Sequence, residues 1–75
     1  ATPERMLLRD EIKETIAGAI ENLPDDLRTA ITLRELEGMS YEEIAQAMDC
    51  PIGTVRSRIF RARDALDVKL RPLLD

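Results

Sequence analysis

Four arginines, Arg56, Arg58, Arg61 and Arg63, fall within eight residues of one another. A guanidinium is planar and always charged, and its fork of donors holds a phosphate or a guanine edge through two bonds at once. That is the chemistry of recognition rather than of bond-making. The residues that make bonds are scarce: there is no histidine and no glycine-rich phosphate loop. The adjacent acids Asp25-Asp26 and Glu42-Glu43 each fall in the first turn of an expected helix, where the dipole favours negative charge and supplies a sufficient role. Cys50 precedes the last expected helix, whose N-terminus would acidify the thiol slightly. Without a general base it reads as a cap or core filler. The chain is therefore expected not to be an enzyme, and to use no cofactor, metal or small-molecule ligand. A single cysteine allows no internal disulfide, which fits a reducing compartment. No apolar run approaches the roughly 20 residues of a membrane span, and no signal peptide is visible.

The arginines must be held by the stretch from Ser40 to Arg63, SYEEIAQAMDCPIGTVRSRIFRAR. Ser40 followed by Glu43 has the form of a capping box. Ile44, Ala45 and Met48 give the stripe of a short helix, which Asp49 and Cys50 end, because the residue before Pro51 avoids the α conformation. Pro51 suits the first position of a second helix. There Ile52, Val55, Ile59, Ala62 and Leu66 share one face. Gly53, Ser57, Phe60, Arg61 and Asp64 point away from it, with Arg56 and Arg58 on the flanks. Ala45 is small enough for the two helices to cross closely. A helix held out in this way fits the DNA major groove. The same apolar spacing also describes two amphipathic helices of an ordinary bundle.

Charge distribution separates those readings. The net charge of −4 opposes general nucleic-acid binding. Residues 1–50 hold five Lys/Arg against twelve Asp/Glu, a net of −7, whereas residues 51–75 hold six against three, a net of +3. A basic stripe on one helix is the footprint that matters. Few acids are spaced to pair with the arginines along that helix, so these are expected to be free on one outward ridge.

The rest of the chain reads as helix, in an all-α compact four-helix domain with the helix-turn-helix at its C-terminal end, at about residues 41–60. Residues 1–5 read as a linker end, with residues 6–75 as the domain. Leu8, Ile12, Ile16, Ala19, Ile20 and Leu23 keep a helical step from about Arg5 to Asn22. Pro24 would start a second helix, apolar around much of its surface at Leu27, Ala30, Ile31, Leu33 and Leu36 and so expected to be the most buried. Gly38 would close it in the left-handed conformation. Arg34, near its end, is placed either to reach a phosphate or to favour the helix C-terminus. Tyr41 could bond a phosphate or be a half-buried ring; Glu42 could accept from a cytosine amino group or favour its helix dipole. Arg71-Pro72 would end the last helix. Leu73 and Leu74 would then cover the first helix or meet another chain.

Three motifs make a resemblance specific: L-P-x-x-L-R, then L-R-E-x-E-G-x-S-Y-E-E-I-A, then C-P-x-G-T-V-R-S-R-I-F-R-A-R. Over residues 6–74 the chain resembles region 4 of a bacterial extracytoplasmic-function sigma factor of the sigma-E type, and it departs from none of the motif positions. The resemblance implies recognition of the −35 element of stress-response promoters, with the last helix in the major groove. It implies that Arg56, Ser57, Phe60 and Arg61 face bases and nearby phosphates, and that Arg34, Tyr41, Glu42 and Thr54 add backbone or edge contacts. It also implies docking on the flap tip of the RNA polymerase β subunit, and an anti-sigma factor as a further partner. The chain would then be cytoplasmic and monomeric, at the nucleoid or held at the inner membrane by the anti-sigma factor. The family's region 2, which reads the −10 element, is not in this sequence, so the chain looks like one domain of a two-domain protein. Two other functions fit the residues: the DNA-binding output domain of a response-regulator-type activator, and a protein–protein module that uses the arginine face.

Overall fold

A computed structural model describes residues 2–74. Ala1, read above as part of a linker end, and Asp75, the last residue of the expected domain, lie outside the described residues. Four helices follow in order: α1 (Pro3–Glu21), α2 (Asp25–Glu35), α3 (Tyr41–Met48) and α4 (Ile52–Leu74). The all-α expectation holds among the described residues.

The helix boundaries follow from caps. The Thr2 hydroxyl accepts from the Arg5 N–H at 3.3 Å, and Pro3 occupies the first turn, so α1 begins two residues before the expected start at Arg5. Pro24 and Pro51 lie one position outside the helices they were expected to open. Each offers its carbonyl to the first turn, Pro24 to the Arg28 N–H at 2.9 Å and Pro51 to the Thr54 N–H at 3.0 Å. Gly38 has φ +69°, and the Met39 N–H returns to the Leu33 carbonyl at 3.1 Å, closing α2 as expected. At the other end of the chain the expectation fails. Helix α4 runs through Pro72 to Leu74, and Arg71 pairs with Asp67 one turn back, at 2.9 Å, within the last turns.

The core consists of Leu23, Ala30, Ile31, Ile44, Val55, Ile59 and Ala62. Helix α4 supplies three of these residues and packs against all three other helices. It is therefore the central element, not α2, which buries Ala30 and Ile31 alone. Leu36, counted among the apolar residues of α2, is 73% exposed, because it caps the helix where the chain turns away. No residue of α1 is fully buried; the helix lies against α4, and its first turns carry exposed Met6, Leu7 and Leu8. Leu73 is half-buried and Leu74 is exposed, so the end of α4 covers little.

Candidate nucleic-acid interface

The orientation of α3 is set at both ends. The Ser40 hydroxyl accepts from the Glu43 N–H at 3.1 Å, and Glu43 Oε1 accepts from the Ser40 N–H at 2.9 Å, completing the expected capping box. The backbone N–H of Ser40, and after it the hydroxyl, hold the Glu43 carboxyl below its ordinary pKa by favouring the charged form. At the far end Asp49 takes a left-handed conformation, φ +51°, and the Cys50 N–H reaches back to the Ala45 carbonyl at 3.0 Å. The chain thereby reverses within two residues, and Ile44 meets Val55 and Ile59 in the core.

Two polar clusters flank the outward side of α4. On the α3 side the ring of Tyr41 is covered by two guanidinium groups. That of Arg34 lies 4.9 Å from the ring centroid and that of Arg56 lies 6.0 Å from it. Arg34 also donates to the Met39 carbonyl at 2.8 Å, tying the α2–α3 loop to the same place. Arg63 donates to Glu35, bridging α4 and α2. That bond raises the Arg63 pKa further, so its charge is fixed.

On the α2 side Arg58 Nε lies 3.6 Å from Asp26, and its Nη1 lies 3.7 Å from Cys50 Sγ. Asp26, Gly53, Thr54, Ser57, Arg58 and Arg61 line an open polar notch there. Cys50 packs half-buried against the core, the core-filler role expected of it.

The expectation of four free arginines is thus half corrected. Arg58 and Arg63 are held by acids of α2, whereas Arg56 and Arg61 have no carboxylate within 4.0 Å among the described residues. Spacing along α4 could not reveal these pairs, because both cross from one helix to another. Of the residues singled out in the sequence, Glu42, Arg56, Ser57, Phe60 and Arg61 are exposed, and Phe60 is 73% exposed on an otherwise polar face. Arg34, Tyr41 and Thr54 are half-buried. The structure brings Arg34, Tyr41 and Arg56 together, and separately Thr54, Ser57 and Arg61; it puts none of the eight in the core. Asp26, Glu35 and the Met39 carbonyl shape the site but carried no local sequence signal of doing so.

Residues 13–66, well over half of the chain, match the family model described as Sigma-70, region 4. The chain belongs to that family. The matched span of this region 4 chain runs from within α1 to Leu66, and so includes the helix-turn-helix and both polar clusters. The chain is 66% identical over 73 residues to the RNA polymerase sigma-H factor of Pseudomonas aeruginosa, covering 97% of this chain and 38% of that protein. It is 61% identical over 74 residues to the ECF RNA polymerase sigma-E factors of Escherichia coli K12 and Salmonella typhimurium LT2, covering 99% of this chain and 39% of each. The region 4 chain thus spans about two-fifths of the length of these relatives.

Proposed function

We propose that this domain reads the −35 element of promoter DNA for a sigma factor of the extracytoplasmic-function type, within an RNA polymerase holoenzyme. One observation carries the reading: on a region 4 domain of net charge −4, Arg56 and Arg61 stand, among the described residues, without acidic partners on the exposed side of α4. Their forks are available to a guanine edge or a phosphate, while the acidic remainder of the molecule repels a duplex. Ser57 and Phe60 share that side, where the ring would touch a thymine methyl or a sugar. Thr54 and Glu42, at the starts of α4 and α3, are placed for backbone or edge contacts. Arg34 and Tyr41 stand behind Arg56 as support, with less freedom to reach out.

The partners follow from the same reading. Ile16, Ala17, Ile20 and Leu36 line an apolar groove with Lys13 and Glu21 at its edges, well suited to the flap-tip helix of the polymerase β subunit. An anti-sigma factor would cover these surfaces when the factor is idle. The domain would work in the cytoplasm, as a monomer, and as a binding module rather than an enzyme. Among the described residues no helix is long and apolar enough to cross a membrane. Membership of the region 4 family favours this reading over a response-regulator output domain, which would dimerise on paired half-sites.

Selection of bound duplexes from a random pool, with and without the polymerase flap, tests the proposal. A single short motif occupied by one domain is the expected result; paired half-sites, or no preference in either arm, would sink it. Arg56→Ala and Arg61→Ala should each weaken binding to the selected duplex by about 1–3 kcal/mol and relax preference at one position. Unchanged preference in both variants would mean that neither arginine reads a base.

A further inference from the structure

A side chain that reads a base must hold one direction. Arg56 is exposed at the end of a long flexible stem, and freezing such a stem on binding carries an entropic cost. Its surroundings already constrain it. The Tyr41 ring lies under its guanidinium at 6.0 Å, within the range of a cation–π contact. The ring itself is fixed: Tyr41 opens α3 directly after the Ser40 cap, packs half-buried against the core, and lies under Arg34 at 4.9 Å. Arg34 in turn is anchored on the Met39 carbonyl at 2.8 Å. The chain of contacts runs from the α2–α3 loop through an aromatic face to a guanidinium on α4.

We propose that Tyr41 is a positioning residue for Arg56, acting through its ring face, so that the preference Arg56 imposes depends on the aromatic ring and not on the phenolic hydroxyl. The inference rests on the promoter-recognition reading and adds to it a division of labour. Tyr41 would otherwise be assigned a phosphate contact through its hydroxyl. In the present arrangement the guanidinium groups of Arg34 and Arg56 both lie over the ring, so its aromatic face is the part of Tyr41 that meets Arg56.

Three variants of this chain decide it: Tyr41→Phe, which keeps the ring; Tyr41→Leu, which keeps apolar bulk without a ring; and Arg56→Ala. Affinity and base preference are measured on the duplex selected by the unaltered chain. Tyr41→Phe should bind like the parent. Tyr41→Leu should bind about two- to fivefold more weakly, the range of an exposed cation–π contact. Its preference should relax at the position that Arg56→Ala relaxes, and within the Arg56→Ala background it should have no further effect. A loss in Tyr41→Phe equal to that in Tyr41→Leu, or an undiminished loss in the Arg56→Ala background, overturns the proposal and leaves promoter recognition standing. A parent that selects no sequence overturns both. A readout without DNA accompanies these: the ring should shift the Arg56 side-chain proton resonances upfield in the parent and in Tyr41→Phe but not in Tyr41→Leu. Identical Arg56 shifts in all three would mean that the ring does not hold the guanidinium.

Discussion

Asp49 holds a conformation that glycine would hold with less strain. Its φ of +51° lies in the left-handed region, where a Cβ crowds the following carbonyl. Asp49→Gly is therefore expected to be neutral or stabilising, by up to about 1 kcal/mol in urea melts, since the Cβ strain is relieved and only unfolded-chain entropy opposes it. A clear loss of stability would mean that the side chain makes a bond that matters. Gly38, at φ +69°, was legible because glycine announces such a turn; Asp49 read only as a helix breaker, since sequence does not distinguish a left-handed cap from a simple stop. Glu43 gives a pH-dependent contribution whose sign is fixed. Its folded pKa lies below the ordinary value, so the stabilisation is present above the ordinary carboxylate range and is lost as pH falls through the depressed folded value. The stability gap between the parent and Glu43→Gln should accordingly be widest near neutrality and close in acid; a gap that widens on acidification would contradict the capping account.

Among the elements, α4 was legible in which residues face inward and which outward, and not in the partners that Arg58 and Arg63 take on α2. Of the five residues chosen by spacing alone, Val55, Ile59 and Ala62 are buried, and Ile52 and Leu66 are half-buried. A period of 3.6 is local information and survives in one sequence. The partners of Arg58 and Arg63 on α2 are not local, and Asp26 already has a sufficient role in the first turn of that helix. Rank of burial was misjudged for a related reason. Helix α2 looked apolar on several sides, but Leu36 belongs to the corner after it, while α4 is long enough to meet every other helix. The central position of α4 makes Ile59, 1% exposed, a sensitive probe. Ile59→Ala should cost about 2–5 kcal/mol. A domain of this size has a total stability of roughly 4–11 kcal/mol, so the variant should be substantially unfolded at a moderate urea concentration that leaves the parent intact. A cost below about 1 kcal/mol would mean that α4 is not the element around which the core closes.

At the scale of the molecule, the all-α architecture and the helix-turn-helix were readable, because amphipathic period, caps and prolines agreed with one another. Less readable was how charge would be arranged once the helices met. Residues 1–50 carry a net of −7, and α2 brings part of that charge to the arginine side as Asp26 and Glu35. The Asp26–Arg58 contact beside the notch then has a consequence for selectivity. On the proposed promoter-reading function, a carboxylate lining the notch would repel any phosphate backbone, whatever its sequence, while Arg56 and Arg61 would still reward a matching one. Asp26 would then act as a brake on indiscriminate adhesion. Releasing it with Asp26→Asn should strengthen attachment to unrelated duplexes more than to the selected one, and steepen the salt dependence of log K by about one phosphate contact. Equal gains on both kinds of duplex would deny the carboxylate that role. If the brake operates, a weak hold on random DNA is part of how the domain discriminates, and engineering it for tighter grip would trade away its discernment.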